Sequence, residues 1–108
     1  MNLPPKILVI DDDQRGGRTI RNYLTTQGYD VCYANNGALG IEKAFEYIPD
    51  LVLCAFKMDH LDGAQVLNVL KRNPLFNMFE LFLVGMYSSY LCHIYFAKGS
   101  FSISIACG

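Results

Sequence analysis

The chain has 108 residues, with 9 Lys and Arg set against 10 Asp and Glu. That length holds one domain, and the nearly cancelled charge argues against bulk electrostatic attraction to nucleic acid or an anionic membrane surface. Its four cysteines, Cys32, Cys54, Cys92 and Cys107, stand far apart with no CxxC pair; they read as buried free thiols of a reducing cytosol, against zinc or a disulfide.

No repeat, linker or low-complexity stretch divides residues 1–108, so a single domain is expected. The N-terminus does not read as a secretion signal, because its four apolar residues, Ile7–Ile10, run straight into three aspartates. Lys6–Ile10, rich in β-branched residues, reads as a first buried strand, with Asp11, Asp12 and Asp13 at its carboxyl end. From Asp13 to Gly28 the spacing of Ile20, Tyr23, Leu24 and Gln27 predicts a helix stopped by Gly28. Gly16 and Gly17 weaken its first turn, by about 1 kcal/mol each relative to alanine. Tyr29–Tyr33 alternates in period two, as a half-buried strand near a sheet edge does. Asn35-Asn36-Gly37 is turn and cap chemistry. Ile41, Ala44, Phe45 and Ile48 then form an apolar helical stripe ended by Pro49.

Leu51–Phe56 is a short, uncharged apolar run, suited to a strand buried on both faces. A polar, Gly-terminated loop follows it, and Val66, Leu67 and Leu70 predict a third helix broken near Asn73-Pro74. Leu81–Val84 predicts a fourth strand leading into Gly85. The alternation of strand and helix predicts an α/β fold, a flavodoxin-like doubly wound parallel sheet. In such sheets the chemistry lies beyond the carboxyl ends of the strands, where strand order reverses.

Three segments, KILVIDDD, GYDVCYANNGALGIEKA and PDLVLCAFKMDHLDG, stand in one order along this pattern. Together they resemble the receiver domain of two-component response regulators, over residues 6–85, with 86–108 atypical. The resemblance implies a divalent cation held by Asp11 and Asp12, and a phosphate acceptor at the end of strand three. Counting from Pro49, that acceptor position is Ala55, which has no oxygen to take a phosphoryl group or to bind a metal. The family's hydroxyl residue after strand four falls on Gly85 or Met86, and its strand-five lysine on Lys98. Asp59-His60 stands where the family usually has Pro-Gly, while Asp62-Gly63 still fits.

The resemblance therefore implies a degenerate receiver: not an enzyme, cytoplasmic, and acting in signal transduction through a protein partner without phosphorylation at the usual site. No cofactor is expected beyond weak Mg2+ at Asp11 and Asp12, since magnesium surrenders its waters reluctantly and one carboxylate is absent. The alternative for the aspartates is a solvated loop and helix cap. Two other functions remain in view. One is a phosphorelay receiver with Asp59 or Asp62 as displaced acceptor, although in-line transfer tolerates little misplacement. The other is a flavodoxin-like cofactor binder. Cys54, before Ala55, reads as an inert packing thiol, His60 as a solvated loop residue and His93 as a satisfied core histidine.

Residues 86–108 are too few for a crossover helix, a fifth strand and a closing helix. Phe101–Ile105 alternates as a strand does, and a frameshift or truncation would give the same appearance. A sheet face short of one covering helix favours homodimerisation or a partner helix. The uncharged run Leu81–Ala97 is at the short limit for a membrane span and is interrupted by Gly85, Ser88, Ser89 and His93, so no membrane partner is expected.

Overall fold

Three apolar runs form the parallel heart of the sheet: β1 (Lys6–Ile10), β2 (Asp30–Ala34) and β3 (Leu51–Ala55). The computed structural model describes residues 3–76 in full, and the backbone of residues 79–85 and 92–98. β1 lies between β2 and β3, parallel to both, with Ile7 opposite Val31 and Leu51, and Ile10 opposite Ala34 and Cys54. The fully buried β3 and the half-buried β2, at the sheet edge, match the sequence patterns that predicted them.

Side chains alternate across this sheet and define two cores. Ile7, Val9, Leu51 and Leu53 pack with Leu24 of α1 (Gln14–Thr26) on one face. Leu8, Ile10, Val52 and Cys54 face α2 (Gly37–Tyr47) and α3 (Gly63–Lys71), which bring Ala44, Val66, Leu67 and Leu70. A single 3-10 turn, Pro74–Phe76, drops Phe76 into the second core. With α1 on one face and α2 and α3 on the other, the strand order reverses between β1 and β3.

Two helix starts carry side-chain caps, the one at Asn36 expected from its sequence and the one at Asp62 found only in the structure. The Asn36 side chain accepts the Leu39 N–H at 2.8 Å. At α3, Asp62 and Gln65 form a reciprocal capping box, with both bonds at 2.9 Å. The aspartate run behaves otherwise: Asp13 is the N-cap residue of α1, but its side chain makes no capping bond. The expected stripe on α2 also needs correction. Ala44 of that stripe is buried and Ile41 packs partly buried against the core, but Phe45 and Ile48 are 38% and 42% exposed, and Gly37 and Gly40 complete the buried face.

Beyond α3 the sheet departs from an all-parallel arrangement. β4 (Phe79–Gly85) is the predicted fourth strand, but β5 (Cys92–Lys98) inserts between it and β3, antiparallel to both. The full order is β2-β1-β3-β5-β4. The physical reason is chain length: only residues 86–91 separate β4 from β5, and a parallel return needs a crossover of about a dozen residues or more. The α/β fold with its parallel sheet is thus present and its C-terminal part atypical. Much of Leu81–Ala97 is strand, and no helix among the described residues is long and apolar enough to cross a membrane. The expected strand at residues 101–105 lies outside the described residues.

Candidate functional site at the carboxyl ends of β1 and β3

Continuing the β1–β3 register by one step past Ile10 and Cys54 sets Asp11 beside Ala55. Both are buried, Asp11 at 1% exposure and Ala55 at 5%, whereas Asp12 and Asp13 are exposed. A buried carboxylate needs donors, and Asp11 Oδ1 accepts the Asp13 N–H at 2.9 Å. Its backbone is tied on both sides: the Asp11 N–H donates to the Ala34 carbonyl at 3.0 Å, and the Tyr33 hydroxyl donates to the Asp11 carbonyl at 2.7 Å. Burial and then the Asp11 charge raise the Tyr33 hydroxyl above its ordinary pKa, so it remains a donor at neutral pH.

The loop from Phe56 to Asp62 forms the other wall. Its ends are closed by Gly63 N–H donating to the Phe56 carbonyl at 2.9 Å, and Met58 and Leu61 pack against the core beneath. His60 takes a left-handed conformation with φ 68°, which is strained for a non-glycine residue. The Asp59 N–H donates to Asp12 Oδ2 at 3.1 Å, joining the two loops. Neither candidate displaced acceptor stands at the pocket centre: Asp62 is occupied as the cap of α3, and Asp59 lies exposed on the loop.

The residues present do not fit the cation that the resemblance implies. One oxygen each of Asp11 and Asp12 already accepts a backbone N–H, and Ala55 offers none. Among the described residues no three His, Cys, Asp or Glu side chains gather closely enough to hold a metal.

The remaining candidates are dispersed. Gly85 ends β4 opposite Cys92, at the same end of the sheet as Ala55 but with β5 intervening. At about 4.8 Å per strand, β4 lies roughly 10 Å from β3. Lys98 is not brought to the pocket. Ala97 pairs with Leu51, so Lys98 stands at the opposite end of the sheet, because β5 runs antiparallel. His93, not singled out as a site residue from sequence, is the register partner of Ala55. Only the strand pairing reveals that juxtaposition. Met86 lies outside the described residues. Cys32 and Cys54 are free thiols, and burial pushes the Cys54 thiol up to about 12, as an inert packing residue requires.

Comparison with known proteins agrees with this geometry. Residues 7–90 match the family pattern of the response regulator receiver domain. The transcriptional regulatory protein ZraR of Klebsiella oxytoca is 42% identical over 69 residues, covering 63% of this chain and 16% of that protein. The alkaline phosphatase synthesis transcriptional regulatory protein PhoP of Bacillus subtilis (strain 168) is 33% identical over 79 residues, covering 73% of this chain and 32% of that protein. This chain therefore spans a third or less of these two curated relatives. Among solved structures, the N-terminal domain of a response regulator receiver protein from Methanoculleus marisnigri JR1 superposes with a TM-score of 0.63 at 31% identity, over 66% of this chain and 58% of that one. The fold, the order of the three segments and the family match agree, and the chain belongs to the response regulator receiver domain family.

Proposed function

We propose that this receiver domain works in two-component signalling as a pseudo-receiver, passing information through protein–protein contact without accepting a phosphoryl group at the usual place. The observation that carries the reading is Ala55: a methyl group, 5% exposed, stands beside the buried carboxylate of Asp11 where strand three ends. Phosphoryl transfer depends on an in-line acceptor oxygen and on cations that neutralise the developing charge. Ala55 removes the acceptor and one metal ligand together. Switching then requires a protein that prefers one conformation by its own contacts. Such a partner, or a second copy of this chain, also suits the β4 edge, which pairs only with β5 among the described residues. Magnesium binding at Asp11 and Asp12 is weak in this reading, in the millimolar range or above, and the setting is the cytoplasm.

The test uses a small phosphodonor with magnesium and intact mass measurement. The wild-type chain is expected to gain no phosphoryl mass, and Ala55→Asp is expected to gain one magnesium-dependent adduct. An adduct on the wild-type chain, mapped to Asp59 or Asp62, overturns the pseudo-receiver in favour of a displaced acceptor.

A further inference from the structure

The pocket lacks the ligand set for a cation, yet Asp11 and Asp12 are each engaged by a backbone N–H. We infer that Asp12 acts as a cation-independent latch, holding the β3–α3 loop in place through the Asp59 backbone. This rests on the pseudo-receiver reading, since a carboxylate at position 55 would give a cation grounds to claim the same oxygens.

The loop is anchored at both ends and underneath. Gly63 closes onto Phe56, Asp62 is tied to Gln65, and Met58 and Leu61 pack on the core. Between these anchors, the bond from Asp59 N–H to Asp12 Oδ2 is the polar tie that residues 57–60 make among the described residues. It spans 47 positions of sequence, joining the loops after β1 and β3. It also sits directly before His60, whose left-handed backbone needs its surroundings to hold it. A hydrogen bond to an ionised acceptor is roughly twice as strong as a neutral one, which suits Asp12 for that task. Asp11 contributes the other half: by accepting the Asp13 N–H it shapes the turn that presents Asp12. A magnesium ion would have to compete with both donors while collecting oxygens that Ala55 does not supply.

Amide hydrogen exchange, resolved by residue in the full chain, tests the latch. In the wild-type protein the Asp59 amide is expected to be protected, and magnesium well below the millimolar range to leave that protection unchanged. Asp12→Asn, whose side-chain oxygen still accepts, should keep most of it. Asp12→Ala should speed Asp59 exchange by about tenfold, the scale of one charge-assisted hydrogen bond, with Val66 in α3 unaffected. Exchange at Asp59 that is indifferent to Asp12→Ala overturns the latch. A magnesium-induced change at Asp12 and Asp59 in the wild-type protein that saturates below the millimolar range does so as well, and needs no variant. Either result leaves the phosphodonor experiment standing, so the latch and the pseudo-receiver fail separately.

Discussion

At Gly63 the first residue of α3 passes so close to the end of β3 that a Cβ would lie 2.5 Å from the Ala55 carbonyl oxygen and 3.1 Å from the Phe56 Cα. Both neighbours are backbone and cannot rotate away. Gly63→Ala should therefore lower stability by about 1–3 kcal/mol, the usual cost of overpacking. Urea denaturation followed by circular dichroism measures it, and an unchanged midpoint would show that the loop shifts freely. Gly17 has a related cause. The sequence offered only a helix penalty for Gly16-Gly17, but in the fold any side chain at Gly17 would run into the Tyr33 ring. That ring has to be there for the Tyr33 hydroxyl to reach the Asp11 carbonyl. Tyr33 lies on another element, so its tie to the pocket left no local mark in the sequence; Ala55 was singled out only through the resemblance to the family, whose pattern is counted from Pro49.

At the scale of elements, α2 shows how a hydrophobic stripe misleads. Phe45 and Ile48 have the spacing of a buried face, yet the helix approaches β1 through small residues, with Gly40 against Ile10. Phe45 instead leans toward Phe76, the ring centroids 6.0 Å apart. The helix then ends on Ile48 in a left-handed conformation with φ 50°, costly for a β-branched side chain. Because Ile48 is 42% exposed, it gains little burial in return. Ile48→Gly is expected to raise stability by about 1 kcal/mol through relief of that strain, read as a higher urea midpoint. A lower midpoint would mean that its remaining packing outweighs the backbone strain.

For the whole molecule, the alkaline limb of stability reports on the core beneath the pocket. Burial, followed by the charges of Asp11 and Asp62, raises the Cys54 thiol from 9.0 to about 12. Burial also raises the hydroxyls of Tyr33 and Tyr47 above 10.0. All three fold preferentially as the protonated form, so their contribution is complete below their unfolded values and is lost as pH rises through the folded ones. Stability to urea should hold up to pH 9 and fall progressively towards pH 12, with a shallower fall in Cys54→Ala. A profile that stays flat over that range would contradict the burial of these groups.

What the sequence determined by itself was local: the apolar runs that become strands and the cap at Asn36. These are read from composition, period and spacing within a few residues. The tertiary structure alone decided that β5 turns back against β3, carrying His93 to Ala55 and Lys98 to the far end. It likewise decided that Asp12 reaches across to Asp59. Strand direction and such loop-to-loop bonds depend on connection length and on register between distant segments, and periodicity within any one segment is blind to both.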